Sequence, residues 1–293
     1  MSSKSQKKSI LFKFLSIFSV VRFYNILLIV LAQYLTSIFI LSDKKIVDVI
    51  LDFDLFLLIF CSSISIASGY IINNFYDDEK DLINKPVKHK IDEVVNSSTK
   101  LNFYFILNFA VVCFSSLISL RAVLFFSVYI FLLWLYSHKL NRILFINNLF
   151  YSILTITPFF AILLYYQNID YIIIAYALFL FFILLLKDFT KDLKNLTGDF
   201  TQNYKTIPVI FGEKFSKIII AITSLINLIL IGNLFLNFSD GYMSIYYIIS
   251  VLSLLFFILK LFQSTKNSDY LILHNILRFI IALGVLSIML LAI

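Results

Sequence analysis

The sequence predicts an all-α membrane protein, a bundle of nine transmembrane helices with the N-terminus cytoplasmic and the C-terminus outside. Three observations carry that reading. Of 293 residues, 61% are hydrophobic and only 14% are charged, against roughly 25% charged in soluble domains. There are nine apolar runs, most of which approach the ~20 residues that cross ~30 Å of hydrocarbon, the fourth being short. The basic residues fall almost wholly on one side of those runs, as the positive-inside rule requires. The net charge of +7 therefore records topology rather than nucleic-acid binding. No nucleic acid and no protein partner is implied; the surroundings are membrane lipids.

Taken in order, residues 1–13 form a basic cytoplasmic tail containing Lys4, Lys7 and Lys8. No small-residue cleavage site follows, so the first run, Phe14–Leu41, reads as a spanning helix rather than a signal peptide. The others are Leu55–Tyr76, Leu101–Leu120, Val123–Tyr136, Ile146–Tyr166, Tyr171–Leu186, Ile218–Leu236, Tyr242–Phe262 and Tyr270–Ile293. Connections on the far side, Ser42–Asp54, the turn at Arg121, Gln167–Asp170 and Asn237–Gly241, are short and hold only Lys44, Lys45 and Arg121 as bases. Two connections on the cytoplasmic side, residues 77–100 and 187–217, are long loops that hold most of the carboxylates, which marks them as functional. Without a linker or soluble insert, residues 1–293 read as a single transmembrane domain. Cys61 and Cys113 lie in apolar runs without metal-ligand spacing and read as packing residues.

The chemistry concentrates at Ile71–Pro86, IINNFYDDEKDLINKP. Carboxylates beside a bilayer cost several kcal/mol unless paired, hydrated or bound to a cation. Asn73, Asp77 and Asp81 stand four apart, so a helix places them on one face, with Asp78 and Glu79 off it. Such a row of oxygen donors suits a hard divalent cation. A second row lies in Lys187–Gly212, where Asp188, Asp192, Asn195 and Asp199 follow at offsets of four, three and four, flanked by Lys187, Lys191 and Lys194. Gly198 weakens the last turn or lets the backbone approach a ligand, and Gly212 reads as a helix cap. One acidic row at a membrane surface is as well explained by solvated charge. Two rows, each flanked by lysines and each beginning at the end of an apolar span, favour a diphosphate bridged by Mg2+.

The run Ile72-Asn73-Asn74-Phe75-Tyr76-Asp77 through Asp81-Leu82-Ile83-Asn84-Lys85-Pro86 resembles the first signature of the UbiA family of intramembrane prenyltransferases, Asn-x-x-x-Asp-x-x-x-Asp followed by an Ile-Asn-Arg-Pro-like run. Lys187-Asp188 through Lys191-Asp192, Gly198-Asp199 and Thr206-Ile207-Pro208 is similar to the second. The resemblance implies Mg2+-dependent transfer of an isoprenyl group from a prenyl diphosphate to a lipid-like or aromatic acceptor within the membrane. The nearest subclass is geranylgeranyl transfer to geranylgeranylglyceryl phosphate, with aromatic quinone precursors of the 1,4-dihydroxy-2-naphthoate or 4-hydroxybenzoate type as the alternative acceptors. Carried over by residue, Asn73, Asp77 and Asp81 hold one face of the Mg2+-diphosphate, and Asp192 and Asp199 the other. Lys187 and Lys191 contact phosphate, with Lys85, Lys88 and Asn195 also in the substrate site, which faces the cytoplasm. Asn25 lines the pocket, and Tyr136 and Lys139 face the phosphates. Asn195 stands where relatives commonly have Asp. Lys85 and Lys88 stand near usual Arg positions and lose bidentate phosphate geometry.

Several single residues remain. In the first span Arg22 reads as snorkelling to the headgroups, while the resemblance puts Asn25 on the pocket wall. Asn148 lines the cavity or bonds another helix. His274 reads as an interhelical hydrogen bonder, and Pro158 as a kink. Two readings compete with the transferase. Asp77-Asp78-Glu79-Lys80-Asp81 spells the Asp-Asp-x-x-Asp of soluble isoprenyl diphosphate synthases, which lack nine spans. A cation-coupled transporter would instead place its charges near the bilayer midplane.

Overall fold

Backbone groups in hydrocarbon must be satisfied within their own segment, which leaves apolar runs the choice of helix or closed barrel. The computed structural model of the chain describes residues 12–13, 15–168, 170–237 and 242–292, and among them every regular element is helical. Residues 1–11 of the basic tail, with Lys4, Lys7 and Lys8, lie outside the described residues, as does most of the Asn237–Gly241 connection.

After a helical stretch at residues 15–20, thirteen α-helices follow in order among the described residues. They are α1 (Phe23–Thr36, closed by a π turn Ser37–Leu41), α2 (Ile46–Ile50), α3 (Phe53–Tyr76), α4 (Asp78–Asn84), α5 (Pro86–Asp92) and α6 (Ser97–Ser116). Then come α7 (Leu120–His138), α8 (Ile146–Tyr166), α9 (Tyr171–Lys194), α10 (Leu196–Thr201), α11 (Ile207–Asn237), α12 (Met243–Gln263) and α13 (Asn267–Ser287). Among the described residues, eight helices are long and apolar enough to cross a membrane: α1, α3, α7, α8, α9, α11, α12 and α13 with their short extensions. Most of the run Leu101–Leu120 lies in α6, which at 20 residues is long enough. Its Lys100, Asn102 and Asn108 keep it short of that apolarity.

Two sequence expectations are corrected. Phe14–Leu41 is not one helix: residues 15–20 are helical, the chain turns at Val21–Arg22 with Arg22 at φ 50°, and α1 restarts at Phe23. The long connections 77–100 and 187–217 are not loops. The first folds into α4 and α5; the second extends α9 to Lys194, adds α10 and starts α11 at Ile207 rather than Ile218. Charge lowered the hydropathy of these stretches without disturbing their helical backbone. Gly212 falls where a helix end was expected: at φ 80°, ψ 172° it is non-helical and separates the two helical stretches of α11 at a kink, a conformation open to glycine at no steric cost.

The packing divides into two compact units: Met1–Val30 with Phe53–Leu140, and Leu31–Asp52 with Asn141–Ile293. In the first, α3 packs against α6 and α7. Small residues on α3, Cys61, Ser62, Ser65, Ser68 and Gly69, are buried there. A Cβ on Gly69 would lie 3.1 Å from Leu133 Cδ2 on α7. Helices in lipid associate by such close packing rather than by leaving water. Val20, Ile71, Ile72 and Tyr104 form the core beneath the first carboxylate row.

In the second unit α9 is central and packs against α8, α11 and α13, while α12 joins α11 and α13. Leu186, Ile220, Ile231, Leu254, Leu273 and Leu277 are fully buried. At Gly284 on α13 an added Cβ would meet Tyr246 Oη at 2.7 Å, so glycine is required for α12 to approach. Pro158 lies within α8, where its carbonyl accepts the Gln33 amide at 2.9 Å.

Candidate active site

In the first unit, α3 hands over to α4 at Asp77 (φ −92°, ψ 11°) without losing its hydrogen-bond ladder. Asp77 N–H donates to Asn73 O at 2.9 Å, Asp81 N–H to Asp77 O at 2.8 Å and Lys85 N–H to Asp81 O at 2.8 Å. The joint therefore keeps Asn73, Asp77, Asp81 and Lys85 in one row. The Asn73 amide donates to Asp77 Oδ2 at 3.1 Å, and Lys85 Nζ pairs with Asp81 Oδ1 at 2.8 Å. Asp81 is buried at 4% exposure. Burial pushes its carboxyl up, but Lys85, by charge and hydrogen bond, with Arg22 and Lys88, holds it below its ordinary value. Burial and the Arg22 charge lower the Lys85 ammonium to about 8, against the pull of Asp81 and Asp77. Asp78 turns off the row to His89 Nε2 at 3.1 Å.

In the second unit, Asn195 joins α9 to α10. Asn195 N–H donates to Lys191 O at 3.0 Å and Asp199 N–H to Asn195 O at 3.1 Å, so this row also survives its joint. Every member is sequestered: Asp188 is 0% exposed, Asp192 1%, Asn195 3% and Asp199 0%. The Asn148 amide on α8 bridges the first two, donating to Asp188 Oδ2 at 2.9 Å and Asp192 Oδ2 at 2.8 Å. Lys191 pairs with Asp188 and lies 3.8 Å from Asp192 Oδ1. Its ammonium, and that of Lys187, lie over the Tyr151 ring at 5.0 and 5.9 Å. Asn148 thus bonds another helix and, in doing so, joins the site.

The remaining expected residues fall as follows. Asn25 donates to Tyr70 Oη at 3.2 Å, and the Arg22 guanidinium stacks over the same ring at 4.9 Å. Tyr136 is half-buried and Lys139 exposed at the end of α7, beside His138, which stacks on Trp134 at 5.2 Å. Lys88 pairs with Asp92. Sequence reasoning left out Asp92, which is 1% exposed, and its amide neighbour Asn74. It named Asp188 in the second row but gave it no role.

The donor chemistry fits Mg2+, which takes hard oxygen ligands. Asn148 Oδ1 and Asn195 Oδ1 are buried without a hydrogen-bond partner among the described residues, and a cation satisfies such an acceptor. Asp77, Asp81, Asp188 and Asp192 are engaged with amides and ammonium groups. No three His, Cys, Asp or Glu side chains among the described residues are gathered into a ready cage, so binding exchanges those partners for the metal.

The UbiA prenyltransferase family model matches residues 30–276. The chain belongs to the UbiA prenyltransferase family. It is a multi-pass membrane prenyltransferase, all-α in fold. Among its relatives is the digeranylgeranylglyceryl phosphate synthase of Methanosphaera stadtmanae, 26% identical over 221 residues, 75% of this chain and 79% of the relative. A solved structure concerned with digeranylgeranylglyceryl phosphate synthase in membranes superposes with a TM-score of 0.69 at 19% identity, covering 94% of this chain and 97% of that one. A UbiA homologue from Archaeoglobus fulgidus bound to GPP and Mg2+ gives a TM-score of 0.67 at 14% identity, covering 93% and 99%.

Proposed function

We propose that this UbiA-family chain transfers a geranylgeranyl group from its diphosphate to geranylgeranylglyceryl phosphate, with Mg2+ and on the cytoplasmic side of the membrane. The observation that carries the reading is the pair of one-sided carboxylate rows, Asn73–Asp77–Asp81 and Asp188–Asp192–Asn195–Asp199, each intact across a helix joint and each accompanied by lysines. The similarity to the Methanosphaera stadtmanae synthase supports the acceptor, the Mg2+- and GPP-bound homologue supports the metal, and the one-sided bases support the orientation.

In the first unit Asn73, Asp77 and Asp81 would hold Mg2+; in the second, Asp192 and Asp199 would do so beside Asp188 and Asn195. Bound Mg2+ supplies the charge that stabilises a departing diphosphate. Lys85, Lys187 and Lys191 neutralise the remaining phosphate charge, which is electrostatic stabilisation by groups already in place. The allylic C–O bond breaks, diphosphate leaves with the electron pair, the acceptor hydroxyl oxygen bonds the carbon, and its proton passes to solvent. Apolar walls keep water from that carbon. Asn25, fixed on Tyr70, borders the substrate, and Tyr136 and Lys139 face the phosphates.

The test supplies purified protein with radiolabelled geranylgeranyl diphosphate, Mg2+ and each acceptor in turn. Labelled product with geranylgeranylglyceryl phosphate alone is expected. Product only with 1,4-dihydroxy-2-naphthoate or 4-hydroxybenzoate would replace the acceptor; no product with any acceptor from folded protein would overturn the transfer itself.

A further inference from the structure

Outside both rows, the first unit holds another buried acid. Asp92, the last residue of α5, is 1% exposed, yet four side chains converge on it. Its Oδ1 accepts Ser19 Oγ at 2.6 Å, and its Oδ2 accepts the Asn74 amide at 3.0 Å and pairs with Lys88. Its backbone carbonyl accepts Ser16 Oγ at 3.5 Å. The Asn74 carbonyl oxygen in turn accepts Lys100 Nζ at 2.8 Å. Asn74 follows Asn73 on α3, so this cluster and the first carboxylate row occupy neighbouring faces of one helical turn.

The two lysines differ. Lys100 is 6% exposed at the first turn of α6 and is reached through a buried amide. Lys88 keeps 26% of its side chain exposed and pairs with Asp92 across one turn of its own helix. A single buried carboxylate thus has two cations at hand, one fixed and one at the solvent edge. Removing the sole partner of a buried charge strands it, which is strongly destabilising. Here Lys88 can leave, because Lys100, Asn74 and Ser19 continue to compensate Asp92. The surplus cation sits one helical turn beyond Lys85, which already reaches the first row through Asp81.

We propose that Asp92 is a positioning residue that stores Lys88 beside the first carboxylate row, and that Lys88 exchanges Asp92 for the substrate diphosphate when it arrives, with Lys100 holding the Asp92 charge in its place. The inference rests on the reading above that the first row receives a diphosphate. No bond is made or broken; one ion pair replaces another. Buried Lys100 never touches substrate in this scheme, yet its charge sets how freely Lys88 moves.

The test measures binding of inorganic pyrophosphate with Mg2+ to the full chain in lipid nanodiscs, by calorimetry and by thermal shift, together with KM and kcat for the prenyl diphosphate. Wild-type and Asp77→Ala proteins come first: failure of wild-type protein to bind, or equal binding by both, overturns the diphosphate reading itself. Given binding, Lys88→Met is expected to weaken it roughly tenfold, the scale of one charge-assisted hydrogen bond. Lys100→Met is expected to weaken it as well, by locking Lys88 onto Asp92, and to have no further effect in the Lys88→Met background. Asp92→Asn is expected to tighten pyrophosphate binding several-fold, again only while Lys88 is present, and to lower KM more than kcat. If Lys88→Met lowers the melting temperature but leaves pyrophosphate affinity unchanged, the pair is a structural clamp and the proposal fails. It fails equally if the Lys88 and Lys100 effects add independently. Those two variants retain Asp92, so they decide the matter even if Asp92→Asn does not fold.

Discussion

The two carboxylate rows are built from the same residue types at the same helical spacing, yet they are held in different ways. The first is tied within its own segment, Asn73 to Asp77 and Lys85 to Asp81, each across one helical turn. The second is held from another helix, by an Asn148 amide 40 residues away from Asp188. The first is partly open to solvent, whereas no member of the second exceeds 3% exposure. The half-exposed end of the first row, Asn73 and Asp77, exchanges partners at little cost, while buried carboxylates, Asp81 among them, are destabilising when a partner is lost without replacement. On the proposed reading the first row serves capture, with phosphate entering at its open end. The second is a preorganised wall whose geometry depends on α8 staying packed against α9.

The largest effect expected is the one the rows share. Asp77→Ala and Asp192→Ala should each reduce transfer roughly 10³-fold or more, since loss of metal-based charge stabilisation is worth several kcal/mol at about 1.4 kcal/mol per decade. The radiolabel assay reads this directly, and a variant retaining activity within tenfold would remove its row from the site. The rows should part at their asparagines. Asn148→Leu strips one donor from both Asp188 and Asp192 and should cost about 2–4 kcal/mol of stability. It should also cost about 10–100-fold in activity, as for other groups that orient ligands. Asn73→Leu loses one half-buried bond to Asp77 and should leave the melting temperature nearly unchanged while raising the Mg2+ requirement. Equal melting temperatures for the two variants would erase the distinction.

Much of this was legible in the sequence, and the reasons are specific. The offsets of Asn73, Asp77 and Asp81, and of Asp188 to Asp199, needed only helical geometry, and both rows keep their i to i−4 bonds across the joints. What hydropathy hid was the helicity of those same stretches: charge made residues 77–100 and 187–217 read as loops, although α4, α5 and α10 lie within them. The break at Arg22 was invisible because one charge barely alters an apolar average. Asp92 and Asn148 could not be placed from spacing alone. Lys88 stands one turn before Asp92, but the remaining partners come from distant segments, Ser19 lying 73 residues from Asp92 and Asp192 lying 44 from Asn148, and only tertiary packing brings such groups together.

Asn195 offers a smaller test of the preorganised wall. Asn195→Asp places a fourth acid in a row that already buries three. In Mg2+-free buffer the added repulsion should lower the melting temperature, and Mg2+ should restore it. Because ligand charge sets the affinity for hard cations, the half-saturating Mg2+ concentration should fall several-fold. A melting temperature that does not respond to Mg2+ would mean that residue 195 is not among the ligands.

The smallest effect should belong to the capture row and appear only with pH. Burial and the Arg22 charge bring the Lys85 ammonium down to about 8, whereas an exposed lysine stays protonated to about 10.4. Lys85 is therefore charged below pH 8 and loses its proton as pH rises through that value, so its attraction for a diphosphate fades on the alkaline side. KM for the prenyl diphosphate should rise about threefold between pH 7 and 9, because a cation already paired with Asp81 contributes only part of a full charge. Lys85→Arg keeps its proton throughout and should flatten that rise. A wild-type profile that stays level to pH 9, or an inflection that survives Lys85→Arg, would place phosphate capture on another residue of the first unit.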